Sequence, residues 1–307
     1  MTHYRAVAGA VLVTVAACAM AWALAYPDTS LAPAMARAVA DGAAVVTLGL
    51  AVLPALDTGR HRDEFAQRTT SPLVAASAAW VIAEFVRLVL AAAEAAGTGP
   101  TGLGLRTAAD FTLYTAPGRA GLVTVTGAAA VLLIAAIAPR SGPSRAVAAG
   151  VAAVGILGHP LTGHLSASPW GGTAIAVHAL AAALWCGVLA GLVLTVEHRG
   201  QWARVLPRFS GLSLWCVAVL LAAGVVGAAV VISSPTDLYT TGYGRVLTAK
   251  IVLTAVLMAL AWRNRAHWLP AARAHRATAV ISRSRAYTEL ALMAVTLAAA
   301  AALAVTG

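Results

Sequence analysis

The sequence predicts an all-α bundle of transmembrane helices, and three observations lead there. First, 60% of its 307 residues are hydrophobic and only 10% are charged, against about 25% charged in a soluble domain. Such a chain cannot cover a water-facing surface. Second, the apolar mass is Ala, Val and Leu in continuous runs of about 20 residues, without the two-residue alternation of a barrel strand. Third, basic residues alternate from loop to loop as they do in a stack of spanning helices.

Nine runs follow one another. The first covers about Ala6–Tyr26. Its basic flank raises a signal peptide, but the run is long for one and shows no clear small-residue cleavage site, so it reads as a retained span. The others cover about Val39–Leu56, Leu73–Ala95, Ala120–Ala138, Ala146–Leu165, Gly172–Val196, Phe209–Ile232, Val246–Trp262 and Ala286–Thr306. The longest intervening loop, Ala96–Arg119, is Gly-rich and turns semi-apolar at Phe111-Thr112-Leu113-Tyr114. It reads as a short interfacial helix or lid. No internal repeat stands out.

Sorting the arginines orients the bundle. Arg5, Arg60, Arg62, Arg68, Arg140, Arg145, Arg199, Arg204, Arg208, Arg263, Arg265, Arg273, Arg276, Arg283 and Arg285 share one side, and Arg37, Arg106, Arg119 and Arg245 the other. The positive-inside rule puts the first side, and with it the N-terminus, in the cytoplasm. The net charge of +10 is therefore topological. It calls for anionic lipid headgroups and not for nucleic acid.

Polar side chains at membrane depth carry the functional argument, because each is expensive there. Five histidines, His3, His61, His198, His267 and His275, fall among cytoplasmic arginines. Three others cluster. His159 and His178 each lie about 9 Å from the outer ends of two consecutive antiparallel spans, at 1.5 Å per residue, and His164 lies above them. Pro160 breaks the helical ladder beside His159, which implies a protein-lined pocket. Convergent imidazoles suit copper, zinc or iron, and equally a hydrogen-bonded helix clamp. Bis-histidine ligation of two haems would need deep histidines toward both faces. Only the outer face offers them, so one haem is the most that fits. No zinc-hydrolase HExxH and no Walker motif occurs, and no enzyme activity is expected.

Glu84 and Arg87 sit three residues apart in mid-span and can pair. Lys250, the only lysine, lies inside the eighth span and calls for a carboxylate or carbonyl partner, with Asp41, Glu84, Glu94 or Asp237 as candidates. Glu289 opens the last span beside Arg283 and Arg285. These groups, with Asp237, mark an ion path or interhelical clamps. Cys18, Cys186 and Cys216 read as apolar packing.

Several motifs carry a family resemblance. Gly158-His159, and His178 through Trp185-Cys186-Gly187-Val188-Leu189, resemble the paired signature of the copper resistance protein D (CopD) family. Arg208-Phe209-Ser210, Tyr243-Gly244-Arg245-Val246-Leu247-Thr248-Ala249-Lys250, Trp262-Arg263-Asn264-Arg265 with Pro270, and Glu289 are similar to its later motifs. The match spans residues 146–307 as a CopD-like domain, and residues 1–145 form N-terminal helices that fit mainly in hydropathy. The resemblance implies a multi-pass inner-membrane protein that handles copper, with His159 and His178 on motif positions. It also implies a separate extracytoplasmic CopC-like copper-binding partner. Relatives often carry a further histidine just before the position of His178, where this chain has Ile175. Copper transport through an outward-facing site of His159, His178 and His164 is the expected function. A haem or redox protein using the same histidines and a non-catalytic assembly factor are the alternatives.

Overall fold

The computed structural model describes residues 15–24, 26, 31–138, 141–161, 170–231, 234 and 236–306. Among these the chain is helical, with no strand. The helices are α1 (Val15–Leu24), α2 (Leu31–Val52), α3 (Arg60–Ala95), α4 (Leu105–Tyr114), α5 (Ala116–Ile137), α6 (Gly142–Leu157), α7 (Gly171–Thr195), α8 (Arg199–Val231), α9 (Asp237–Thr240), α10 (Gly242–Arg263), α11 (Leu269–Arg273) and α12 (Ala279–Thr306). A five-residue π-helical segment, Asn264–Trp268, joins α10 to α11. Seven of these units are long and apolar enough to cross a membrane, while α1 and α6 are shorter apolar helices. Each of the nine expected runs thus falls on a helix.

The helices outrun the apolar runs at the arginine-rich end. α3 begins at Arg60 and not near Leu73, and α8 at Arg199 and not near Phe209. Charged residues form helix readily outside the hydrocarbon slab, and hydropathy sees only the part inside it. Pro72 and Pro207 each lie within these extended helices. The semi-apolar stretch of the longest loop is helix α4. None of its residues is buried, and Leu105 and Tyr114 are 91% and 77% exposed.

Two halves repeat the same order, which the sequence did not reveal. α2 and the long α3, the short α4, then α5 and α6 form one half. α7 and the long α8, the short α9, then α10 and α12 form the other. The local devices recur as well. Thr115 caps α5 by accepting from Gly118 N at 3.0 Å, and Thr241 caps α10 by accepting from Gly244 N at 2.9 Å. A Cβ on Gly118 would lie 2.1 Å from Phe111 O, and one on Gly244 would lie 1.9 Å from Asp237 O. Both glycines let a surface helix fold back onto the spanning helix that follows it.

α2 and α7, the equivalent first helices, cross at the centre. α2 packs on α3, α6, α7 and α12, and α7 packs chiefly on α2 and α8. The crossing is backbone on backbone. A Cβ on Gly49 would fall 1.9 Å from Gly187 C, and one on Gly187 would fall 2.1 Å from Val45 O. Small residues of this kind let membrane helices approach closely. Around the crossing, Leu48, Leu50, Leu189 and Leu192 are fully buried. α1 lies on α2, α10 and α12 through Ala17, Cys18 and Ala21.

A Gly187→Ala substitution therefore forces α2 and α7 apart, at a cost of about 1–3 kcal/mol for overpacking. We expect a clearly lowered melting temperature of the detergent-solubilised protein. Gly42→Ala, whose added Cβ meets nothing within 4 Å, is the matched control and leaves it unchanged or raised.

Candidate functional site

A charged cluster built around the buried Glu84, its other members half-buried, occupies the half of the bundle away from the arginine-rich end. Helical spacing sets up its pieces. Arg37 and Asp41 are one turn apart on α2, with Nε and Oδ2 3.6 Å apart. Glu84 and Arg87 are one turn apart on α3, with Oε1 and Nη1 3.4 Å apart. Arg87 Nη1 also stands 3.8 Å from Asp41 Oδ1, which ties α2 to α3. Glu84 is 1% exposed. His159 completes the row, with Nε2 2.5 Å from Glu84 Oε1. Two arginines and two carboxylates balance one another, so the cluster adds no net charge to the membrane interior beyond whatever His159 carries.

His159 arrives there because α6 stops early. The helix ends at Leu157, and Gly158-His159-Pro160 form a turn closed by Leu161 N donating to Leu157 O at 3.2 Å. Pro160 has no N–H to continue the ladder. The end of α6 is pinned to α5 by Thr124 Oγ1, which donates to Gly155 O at 3.1 Å. Gly155 also makes room for the Trp80 ring, 2.8 Å from where a Cβ would be. His159 thus sits on a turn beyond the helix and not inside a span.

His178 is held differently. Its Nδ1 lies 2.9 Å from Leu220 O of α8. A carbonyl only accepts, so Nδ1 carries a proton, and in the neutral ring Nε2 keeps its lone pair. Gly224 admits the ring, since a Cβ there would lie 3.2 Å from Nδ1. Lys250 of α10 lies within electrostatic range of the same ring but meets no carboxylate among the described residues. Asp41 is committed to arginines, and Asp237 accepts from Ser234 N at 2.9 Å in a local turn. Glu94 is exposed at the end of α3.

The hydrogen bonds therefore lead the two imidazoles to different helices, His159 to α3 and His178 to α8. His164 lies outside the described residues. Among the described residues no three His, Cys, Asp or Glu side chains are grouped to hold a metal ion. Each of the two rings instead has at least one nitrogen tied to the bundle. A metal-ligating histidine is commonly oriented in this way, by a carboxylate or carbonyl on its other nitrogen.

Two further polar sites were not expected from sequence, and a third, Glu289, takes an unexpected partner. Asp57, fully buried, receives Arg204 at 2.8 Å and Arg208 at 3.3 Å, locking the α2–α3 connection to α8. Arg145 donates to Thr69 Oγ1 at 2.7 Å and Leu50 O at 3.3 Å, joining α6 to α3 and α2. Glu289 accepts from Asn264 Nδ2 at 2.8 Å, while Arg283 turns instead to Val196 O. Long-range partners of this kind leave no mark in spacing.

These features define a multi-pass helical membrane protein with buried, internally neutralised polar sites. Residues 27–173 match the model described as copper resistance protein D-like, N-terminal domain, and residues 203–303 match copper resistance protein D. The chain belongs to the copper resistance protein D family. His159 falls in the N-terminal match and His178 between the two. No curated protein and no solved structure matches the chain.

Removing one member of the balanced cluster leaves an uncompensated buried charge, at a cost of about 3–5 kcal/mol. Glu84→Ala should thus lower the melting temperature in detergent sharply, and adding Arg87→Met should recover part of the loss. Additive losses in the double variant would show that the two side chains do not act as a pair.

Proposed function

We propose that this protein carries copper across the plasma membrane, taking it in at the end opposite the arginine-rich face. That face is the cytoplasmic one by the positive-inside rule. The observation that carries the reading is the His159–Glu84 pair. A carboxylate on Nε2 orients the ring and makes its other nitrogen a better ligand, and a neutral imidazole suits copper. Glu84 is itself held by Arg87, so the pair keeps its geometry when the site is empty. Family membership supports copper as the cargo. His178, with its Nε2 lone pair, and His164 are the additional ligands of this reading. Lys250 beside His178 disfavours a long-lived cation there, as a transit site requires. Glu84, Arg87 and Asp237 shape the path without binding the ion themselves. A separate CopC-like copper-binding protein delivers the cargo, and the protein acts as a carrier and not as an enzyme.

A second reading is favoured by the hydrogen bonds themselves. Both imidazoles tie helices together, which a purely structural clamp would also do.

Cellular copper accumulation separates the two. At equal membrane expression, His159→Ala/His178→Ala cells should accumulate several-fold less copper than wild type, and the purified variant should retain less copper per chain. Unchanged accumulation together with a lowered melting temperature would favour the clamp. Haem-supplemented wild-type protein is expected to show no Soret band.

A further inference from the structure

The two halves differ in how their long second helix meets the fourth. α3 packs along α5 in the first half, whereas the equivalent α8 and α10 stand apart over most of their length. The gap is a cavity of about 580 Å³ lined by α8, α10, the π-helical segment, Leu269 and Glu289. This is the size of a small-molecule site. It opens sideways, since Leu214 and Trp262 line it and are 52% and 72% exposed on the outer surface of the bundle. A molecule enters it from the bilayer and not from water.

The cavity has an apolar wall and a polar floor. Phe209, Trp262 and Trp268 bring three aromatic rings to it. Trp268 is fixed by donating to Ser282 Oγ at 3.0 Å and packs on Trp202 with ring centres 5.7 Å apart. At the floor, Asn264 and Glu289 are 5% and 3% exposed. Asn264 Nδ2 donates to Glu289 Oε2 at 2.8 Å, which assigns the amide: turned over, its oxygen would face the carboxylate. Asn264 Oδ1 is left buried with no hydrogen-bond partner among the described residues. A buried acceptor without a donor is costly, and the π-helical turn that presents Asn264 is a backbone form frequent at functional sites. The one guanidinium in the lining, Arg265, is already engaged, with Nη1 on Ser210 O at 3.0 Å and on Ser210 Oγ at 2.6 Å. The unmet group at the floor is thus an acceptor, Asn264 Oδ1.

We propose that this cavity binds a lipid-soluble hydroquinone. Its flat ring suits the aromatic wall, its apolar tail leaves by the lateral opening, and a ring hydroxyl supplies the donor that Asn264 Oδ1 lacks. A phospholipid acyl chain would fill the volume but leave the floor unpaired. The corresponding quinone has the same skeleton but no donor for Asn264 Oδ1. The site is independent of the copper reading, because His159 and His178 take no part in lining it.

The test uses the full chain in lipid nanodiscs, titrated calorimetrically under anaerobic conditions with a decyl-chain benzohydroquinone and with its quinone. Wild type should bind the hydroquinone saturably and about tenfold or more tighter than the quinone, since a site built around a hydrogen bond rejects the analogue that lacks it. Ala259→Trp fills the cavity from its wall and should abolish saturable binding of both. Asn264→Leu should weaken the hydroquinone to the level of the quinone and leave the quinone unchanged. Absence of saturable binding, equal or tighter quinone binding, or hydroquinone binding that survives Ala259→Trp would overturn the proposal. None of these outcomes bears on copper accumulation by the histidine variants.

Discussion

The structure depends on one close approach. Gly49 and Gly187 bring the backbones of α2 and α7 into direct contact, and each helix leads one half of the molecule. Lipid tails are as apolar as the helices, so burial gives little drive for helices to associate in a bilayer. Packing has to supply it instead. A seam without side chains maximises that packing, and it brings the leading helix of each half against the other. The side chains flanking the seam then build a core shared by both halves, with Leu50 and Leu53 of the first against Gly191 of the second.

Polar groups complete what packing begins. Each buried charge is met by a partner on another helix: Asp57 by Arg204 and Arg208, Arg145 by Thr69, Glu84 by His159. The first two tie helices together at the arginine-rich end and the third at the opposite end. Between them the bundle is pinned at both faces while its centre stays apolar. Lys250 departs from this rule, since among the described residues it lies within electrostatic range of His178 and pairs with no carboxylate.

The two halves share an order of elements but not their packing. In the first, α3 closes on α5, and the turn after α6 brings His159 to Glu84. In the second, α8 and α10 part, and the gap exposes the Asn264–Glu289 pair to a cavity. One architecture thus offers a polar site near one face and a lipid-accessible site near the other. Lysine and the π-helical turn belong to the second half alone.

The sequence by itself determined the class. Runs of Ala, Val and Leu long enough to span, and arginines alternating between loops, admit no other fold, because unsatisfied backbone is intolerable in lipid. It also marked His159, Glu84 and Arg87 as groups needing a reason, and the i, i+3 spacing of the last two paired them correctly. Short-range geometry is all that spacing encodes. The tertiary structure decided that Glu84 meets His159 and not only Arg87, and that Glu289 takes Asn264 and not a neighbouring arginine. It decided too that His178 turns to a carbonyl of α8. Those choices follow from which helix faces which, and that was set by two glycines 138 positions apart whose significance no hydropathy or charge pattern records.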